Sequence, residues 1–241
     1  MTSLDREWVR HSQEIAAKGD LEITGRLVDA SNATLFGSVT LGEESFQVIY
    51  KPVAGERPLW DFPDGTLADR EYAAYLLSDV TGFDLVPPTI LREGPAGFGM
   101  VQRWIDIDDS IELAQFFAND FPALRELAIF DAIINNTDRK IGHLLPAEDG
   151  HLFACDHGVT FHEEDKLRTV LWQWAGDDLT DKEISRLQEI ERIVSEKVDL
   201  FSPHITSHEY LALKGRISRL IDQAQMPSPS EDWPPIPWPA F

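Results

Sequence analysis

Apolar and polar residues alternate along three stretches near the start of the chain, at residues 21–27, 34–41 and 46–53. A period of two is typical of strands that bury one face. Turn-forming residues separate the stretches, at 29–32 and 42–44, where Asn, Asp, Ser and Gly favour a reversal of the chain. The pattern therefore predicts a β-meander.

The next loop, residues 54–65, is rich in proline and glycine, and the apolar residues that follow have the period of a helix. Thr66 and Asp69 have the spacing of a capping box at its start, and Gly82 is placed to end it. The other predicted elements are a helix over 4–18, a hairpin of 87–92 and 97–104, a helix beginning at Pro122 and broken at 135–137, a small hairpin of 143–145 and 151–155, a helix capped by Thr180 and Glu183, and a last helix over 207–224.

This order of elements predicts an α+β protein with two lobes and a cleft, because strands dominate the first half of the chain and helices the second. We expect an N-terminal helix (1–19), a β-rich N-lobe (20–104), a mainly helical C-lobe (105–225) and a proline-rich tail (226–241). The tail holds six of the fifteen prolines, so we expect it to be extended, either loose or laid along the surface.

Composition narrows the classes of function. The 241 residues carry 42 acidic and 21 basic side chains, a formal net charge of −21. Such a chain repels nucleic acid and anionic membranes, so we expect no nucleic-acid partner and no stable membrane association. The single cysteine, Cys155, excludes an intramolecular disulfide. The chain start lacks the apolar core of a signal peptide, and we find no apolar run of about 18 residues, so we expect a cytoplasmic protein.

Lys51 and Glu71 form the first candidate pair. Lys51 lies on the strand predicted at 46–53, and Glu71 lies near the start of the helix that follows Thr66. A strand lysine fixed by a helix glutamate is the arrangement by which kinases hold the α- and β-phosphates of ATP. The alternative is a lysine that reaches solvent from the edge of a sheet.

Asp138, Arg139 and Lys140 follow the break of a helix at 135–137. In a catalytic loop, the aspartate would orient or deprotonate an attacking hydroxyl, and Arg139 or Lys140 would offset phosphate charge. The alternative is a polar loop that only terminates the helix.

Asp156 follows a short apolar strand and precedes Gly158. Mg²⁺ prefers one or two carboxylates together with phosphate oxygens, so the position suits a metal-binding turn, with an ordinary type I turn as the alternative. Lys51, Glu71, Asp138 and Asp156 occur in the order found in kinases. The hairpin predicted between the two aspartates would bring both carboxylates to one mouth of the cleft.

The segments NNTDRKIGHLL and FACDHGVTF resemble the N-T-D-R and D-N-G-L-x-F regions of type II phosphatidylinositol 4-kinases. They also resemble the wider phosphatidylinositol 3-/4-kinase-related atypical kinases, including the HipA-like branch. The stretches YKPVAGERPLWDFPDGTLA and EDKLRTVLW are similar to those of an uncharacterised actinobacterial phosphatidylinositol 3-/4-kinase-like group. The resemblance spans about residues 20–175. It implies a bilobal protein-kinase-like fold that binds ATP with Mg²⁺ or Mn²⁺.

The resemblance also implies roles for individual residues. Lys51 matches the lysine that grips the ATP phosphates, and Glu71 matches its partner. Asp138 matches the catalytic-loop aspartate and Asp156 the metal ligand. Further residues implied to contact the nucleotide are Gln102, Arg103 and Trp104, at the hinge beside adenine, and Ser31 and Asn32, at the tip of the first hairpin.

His143 departs from the kinase pattern, because it stands five residues after Asp138, where kinases place a metal-binding asparagine. Imidazole suits softer metals than Mg²⁺, so His143 is both a candidate second metal ligand and a possible cause of lost catalysis. We expect a metal-dependent phosphotransferase that acts on a hydroxyl of an unknown protein or small molecule. A lipid acceptor is not expected, since only Lys166 and Arg168 could bind its head group. Two alternatives stay open: a pseudokinase that binds nucleotide or acts as a scaffold, and a kinase-fold enzyme that transfers AMP.

Overall fold

The computed structural model describes residues 4–27 and 32–241. Its helices are α1 (Arg6–Lys18), α2 (Leu67–Val80), α3 (Leu113–Phe117), α4 (Pro122–Ile134), α5 (Asp181–Glu196), α6 (Val198–Phe201) and α7 (Ser207–Gln223). Its strands are β1 (Asp20–Arg26), β2 (Leu35–Leu41), β3 (Glu44–Pro52), β4 (Thr89–Gly94), β5 (Gly97–Arg103), β6 (Leu144–Pro146) and β7 (Leu152–Ala154). A β-rich first part precedes a mainly helical second part, which confirms the predicted α+β class.

Five antiparallel strands form the sheet of the N-lobe, in the order β1-β2-β3-β5-β4. One face of the sheet packs against α1 in a small apolar core. The buried residues of this core are Ile15, Ala16, Val39, Val48, Tyr50, Ile90 and Val101. Successive side chains of a strand point to opposite faces, so Lys51, next to Tyr50 in β3, points away from this core and towards the cleft.

Helix α4 lies in the middle of the C-lobe core. Nine of its thirteen residues are buried, as expected for a helix that neighbours cover on most sides. Helix α7 packs against α4 and α5. Both α5 and α7 begin with a complete capping box, formed by Thr180 with Glu183 and by Thr206 with Glu209. None of the described helices combines the length and apolarity needed to cross a membrane.

The start of helix α2 differs from the prediction. The capping box expected from Thr66 and Asp69 is wrong, because the side chain of Thr66 accepts no hydrogen bond from a backbone amide of the helix. The amides of Leu67 and Ala68 donate instead to the two carboxylate oxygens of Glu56, at 3.1 and 2.9 Å. A carboxylate from the preceding loop therefore satisfies the helix terminus and complements its dipole.

The proline-rich tail lies along the C-lobe. The carbonyl oxygen of Pro235 accepts hydrogen bonds from the amide of Thr169 at 3.0 Å and from Nε1 of Trp172 at 2.9 Å. The carbonyl of Ala240 accepts a bond from the amide of Ile141 at 3.0 Å. The tail was expected to be either loose or laid along the surface, and in the structure it lies along the surface.

Gly99 in β5 lies against the backbone of β3, directly beside Lys51. A Cβ atom at Gly99 would lie 2.4 Å from the carbonyl oxygen of Lys51 and 2.6 Å from Cα of Pro52. Glycine in a strand often marks such a close approach of another backbone. The absence of a side chain at Gly99 therefore sets the position of the strand that carries Lys51.

We expect Gly99→Ala to lower the free energy of unfolding by about 1–3 kcal/mol, because β3 and β5 must move apart. Gly25→Ala is the matched control in β1, since nothing lies within 4 Å of its Cβ position, and its effect should stay within about 1 kcal/mol. Urea unfolding measures both variants. Equal stabilities of the two variants would contradict the close approach at Gly99.

Candidate active site between the lobes

Lys51, Glu71 and Asp156 form a connected group of charges in the cleft. The Nζ atom of Lys51 lies 2.5 Å from Oε1 of Glu71 and 2.9 Å from Oδ1 of Asp156. Burial opposes the charge of Lys51, but the carboxylates of Asp156 and Glu71 outweigh it and raise the pKa of Lys51 above its usual range. The lysine charge, in turn, is the main cause that holds the pKa of Asp156 far below its usual range. Lys51 and Asp156 are therefore both ionised at neutral pH.

Glu71 also fixes the segment that carries Asp156. Its Oε2 atom accepts a hydrogen bond from the amide of His157 at 2.8 Å, and its side chain is almost completely buried. The backbone of Asp156 has a φ of +64°, in the left-handed region that aspartate adopts more readily than most residues. The hydrogen bond between the amide of His157 and Glu71 thus stabilises the uncommon backbone conformation of Asp156, the candidate metal ligand.

Asp138 lies in the loop after α4 and lines the same cavity as Lys51 and Asp156. Its amide donates to Oδ1 of Asn136 at 3.0 Å, and its Oδ2 lies 3.1 Å from Nζ of Lys140. Burial raises the pKa of Asp138, the negative charge of Asp156 adds to this rise, and Lys140 opposes it. The carboxylate is thus a better proton acceptor than an ordinary surface aspartate.

Arg139 does not reach the cavity. Its side chain is fully buried, and its guanidinium forms a salt bridge of 3.0 Å with Asp131 in α4. The same guanidinium donates to the carbonyl of Cys155 at 2.7 Å and lies 2.7 Å from Nε2 of His157. The prediction that Arg139 offsets phosphate charge is therefore wrong, because its donors are used in a buried network. Arg139 is a positioning residue for the Asp156 segment.

The two asparagines before Asp138 shape its loop, a role that sequence reasoning missed. Asn135 ends α4 in the left-handed conformation, with a φ of +54°, and its Nδ2 donates to the carbonyls of His162 and Glu164. Asn136 donates to Asp131 at 3.0 Å. Asparagine tolerates the left-handed conformation and can bond to the backbone, and this tendency was the only local signal of the role.

His143 lies beside Asp156, with Nε2 3.4 Å from Oδ2 of the carboxylate. Its Nδ1 accepts from the amide of Lys140 at 3.4 Å. Burial lowers the pKa of His143 to about 4, so the ring is neutral at pH 7. With Nδ1 as the acceptor, Nε2 carries the proton and faces Asp156. Both ring nitrogens are thus engaged, with Lys140 and with Asp156, and the role of His143 as a second metal ligand stays a prediction.

The cleft residues fit a divalent cation that is bound together with a nucleotide. Asp156 offers a carboxylate that is half exposed, and hard cations such as Mg²⁺ complete their shell with phosphate oxygens and water. In the part of the chain that the structure describes, no group of three or more His, Cys, Asp or Glu side chains is placed to hold a metal. The donor set therefore suits a metal that depends on the nucleotide for most of its ligands.

The three predicted hinge residues lie outside the cavity lining. Gln102 is buried within the sheet, and the amides of Arg103 and Trp104 donate to backbone carbonyls at 2.9 Å each. The guanidinium of Arg103 lies over the rings of Trp8 and Phe46, on the α1 side. The amides of Arg103 and Trp104 are therefore not free to bind adenine, and the side chain of Arg103 points away from the cavity. Adenine contacts through the other backbone groups of these residues stay a prediction.

Of the two residues predicted at the hairpin tip, Asn32 lines the cavity. Its Oδ1 accepts a hydrogen bond from the amide of Arg57 at 2.8 Å, which ties the hairpin to the loop before α2. Ser31 lies outside the described residues.

The cavity has a volume of about 470 Å³. Besides the charged group around Lys51, its lining includes a second group of aromatic and cationic residues, namely Arg57, Trp60, Lys166, Arg168 and Trp233. Of these residues, Lys166 and Arg168 could be named from the sequence as cations able to bind an anionic head group. Nothing in the local sequence indicated Arg57 or Trp233.

The chain is similar to known proteins at two levels of sequence identity. It is 42% identical to Protein Rv2133c of Mycobacterium tuberculosis, over 94% of each chain. It is 32% identical to phosphatidylinositol 4-kinase gamma 4 of Oryza sativa subsp. japonica over 129 residues, which span 46% of this chain and 22% of the rice protein. No protein-family model matches the chain.

Two solved structures share the fold. The structure of hydra Fam20 with sugar has a TM-score of 0.57 at 13% identity, over 92% of this chain and 90% of that one. The Golgi casein kinase with Mn/ADP bound has a TM-score of 0.58 at 12% identity, over 92% and 76%. At these identities the similarity shows a kinase-like fold and nothing about the chemistry of this chain.

We expect Arg139→Met to lower the free energy of unfolding by about 3–5 kcal/mol, because it leaves the carboxylate of Asp131 buried without a charged partner. Lys140→Met is the matched control at the next position. Its ion pair with Asp138 is partly exposed, so we expect a loss below about 1 kcal/mol. Urea unfolding measures both. If Arg139→Met were as stable as Lys140→Met, the buried network would not stabilise the loop.

Proposed function

Because the chain belongs to the same family as Protein Rv2133c of Mycobacterium tuberculosis, we propose that this family includes ATP-dependent phosphotransferases and that this chain is one. The reaction is the transfer of the γ-phosphoryl group of ATP to a hydroxyl of a protein or a small molecule. The kinase-like fold supports this function, and so does the sequence similarity to a rice phosphatidylinositol 4-kinase. We further propose that the family is a branch of the phosphatidylinositol 3-/4-kinase-related atypical kinases, as the resemblance of its motifs suggests.

One observation carries the proposal: the amine of Lys51 lies between the carboxylates of Glu71 and Asp156, and Asp138 lines the same cavity. These four side chains come from separate parts of the chain, between positions 51 and 156. Phosphoryl transfer depends on fixed charges around the phosphates more than on covalent chemistry. A cation, a metal-binding carboxylate and a proton acceptor at one cavity meet that requirement.

Lys51 binds the phosphates of ATP, and Glu71 keeps its amine in place. Asp156 binds the divalent cation that accompanies ATP, which is Mg²⁺ or Mn²⁺. When bound, this cation offsets negative charge on the phosphates. A co-crystallised neighbour of the same fold, the Golgi casein kinase, has Mn/ADP bound, which supports the choice of ligands.

Asp138 orients the acceptor hydroxyl. The hydroxyl oxygen forms a bond to the γ-phosphorus of ATP, and the bond from that phosphorus to the bridging oxygen breaks. The bridging oxygen leaves with the electron pair, as part of ADP. The carboxylate of Asp138 accepts the proton of the hydroxyl, which its raised pKa favours.

A second function, nucleotide binding without turnover, is favoured by one observation. His143 stands where kinases place a metal-binding asparagine, and its Nε2 faces Asp156. A cleft with one metal-binding carboxylate can bind a nucleotide and still lack the second ligand that catalysis uses. Nucleotide binding with no turnover in the unaltered protein would favour this pseudokinase function.

We expect Lys51→Met to weaken the binding of a non-hydrolysable ATP analogue with Mn²⁺ by about 30-fold or more, because it removes the cation that pairs with the phosphates in the cleft. Asp138→Asn should bind the analogue normally and reduce turnover by about 100-fold or more, because it removes the proton acceptor. Titration calorimetry and release of ADP measure the two effects.

The matched control for Lys51→Met is Lys18→Met, which removes an exposed lysine of α1 from an ion pair with Glu14. We expect no change in nucleotide binding for this variant. Normal binding of the analogue by Lys51→Met would remove the role assigned to Lys51.

The activity should also depend on pH through Asp138. The carboxylate must be ionised to accept a proton, so kcat/KM falls as the pH drops through the raised pKa of Asp138. Lys140 opposes that rise, so Lys140→Met should raise the pKa further and move the acidic limb to higher pH. A pH series of kcat/KM for both proteins measures the shift. A limb that stays in place or moves to lower pH would contradict the role of Asp138.

A further inference from the structure

Three side chains close one side of the cavity. The rings of Trp60 and Trp233 are stacked, with centroids 6.4 Å apart and an angle of 18° between their planes. The amine of Lys166 lies 4.9 Å from each ring centroid, within the range of cation–π attraction. We call Trp60, Trp233 and Lys166 the tryptophan clasp. It joins the loop before α2 to the C-lobe and the tail.

An ion pair and the docked tail hold the clasp in place. The amine of Lys166 lies 3.2 Å from Oδ2 of Asp61, next to Trp60. On the other side, Arg168 donates to the carbonyl of Pro234 at 3.2 Å, directly after Trp233. Because the ion pair of Lys166 with Asp61 and the stack of Trp60 on Trp233 join the loop before α2 to the C-lobe and the tail, separating them requires the loss of both contacts.

Trp60 is 82% exposed although it lines the cavity. The side chain of Trp60 therefore contributes little to the apolar core and is accessible to a molecule in the cavity. Its ring offers a flat apolar face, which a compact molecule in the cavity can cover.

Both cationic and acidic side chains line this cavity, and two of the cations are not paired with the acidic ones. The cations are Lys51, Arg57, Lys166 and Arg168. Lys51 and Lys166 have carboxylate partners, whereas Arg57 and Arg168 form no salt bridge with any of the described residues. Two guanidinium groups without a carboxylate partner are suited to a phosphate or a carboxylate on a ligand.

The volume of about 470 Å³ lies in the range of small-molecule sites. The nucleotide shares this volume, so the space that remains beside Asp138 suits a compact acceptor.

We propose that the side of this cavity lined by Arg57, Arg168 and the tryptophan clasp is the acceptor site, beside the part where Lys51 and Asp156 bind ATP and its cation, and that the acceptor is a small hydroxyl compound carrying a phosphate or carboxylate group. Arg57 and Arg168 bind the anionic group, Trp60 and Trp233 cover the carbon skeleton, and Asp138 takes the hydroxyl proton. This inference rests on the proposed phosphotransferase function and names its substrate class. The acceptor oxygen bonds to the γ-phosphorus of ATP, and the bridging oxygen leaves with the electron pair on ADP.

The first experiment compares charged and uncharged acceptors. The full chain is incubated with ATP and Mn²⁺, and ADP release is measured with glycerol 3-phosphate and glycerate against glycerol, and with glucose 6-phosphate against glucose. We expect the charged compound of at least one pair to stimulate ADP release and its neutral partner to leave ADP release unchanged. The phosphate and carboxylate compounds together show which anionic group the cavity takes.

Variants then test the site with the best acceptor of that panel. We expect Trp233→Ala and Arg168→Gln to raise the KM for the acceptor about tenfold or more, since a bond to a charged group or a covering ring is lost. The affinity for the ATP analogue should not change. Trp60→Ala is a second variant of the clasp, and we expect it to fold because the side chain of Trp60 is mostly exposed. Trp238→Ala is the matched control, because this tail tryptophan is 91% exposed and does not line the cavity.

The outcomes separate this inference from the proposed function. If ADP is released from ATP alone or with a neutral compound and no charged compound stimulates that release, the acceptor class is wrong and the phosphotransferase function stands. If the analogue binds normally and no ADP is released under any condition, the pseudokinase function is favoured and the acceptor site fails with the phosphotransferase. If Trp60→Ala weakens binding of the analogue and leaves the acceptor KM unchanged, the clasp covers the nucleotide and the inference is overturned. If the unaltered chain binds no analogue, the proposed function fails and the acceptor site fails with it.

Discussion

The rest of the cleft depends on the two hydrogen bonds that the buried carboxylate of Glu71 accepts. One of its oxygens accepts a hydrogen bond from Lys51 at 2.5 Å, and the other accepts one from the amide of His157 at 2.8 Å. A buried carboxylate is stable only when its charge and its hydrogen bonds are both compensated. A single side chain of α2 therefore couples strand β3 of the N-lobe to the C-lobe segment that carries Asp156.

Two buried charged groups hold the backbone on either side of Asp156. Glu71 binds the amide that follows it, and Arg139 binds the carbonyl that precedes it, at Cys155. The positive φ of Asp156 costs about 1–3 kcal/mol for a residue other than glycine, and these two anchors maintain it. The side chain of Asp156 is left half exposed. A rigid backbone under an accessible carboxylate is the arrangement that a metal-binding group requires.

Much of the fold could be predicted from the sequence, because periodicity and capping are local properties. The alternation of period two marks the strands of the meander, and Thr180 with Glu183 marks the start of α5. The pairing of Lys51 with Glu71 could also be proposed, because a strand and the helix after it pack together and the two residue types attract. The order of Asp138 and Asp156 along the chain, with a hairpin between them, indicated that both aspartates lie at one cleft.

The sequence by itself thus determined the elements, their order and the residue types at the cleft, whereas tertiary structure decided which side chains face the cavity. Arg139 and Lys140 are adjacent cations, yet one is buried against Asp131 and the other lies beside Asp138. Trp233 reaches the cavity only because the tail docks on the C-lobe. The direction of a side chain depends on partners that are distant in the chain, and local periodicity carries no information about those partners.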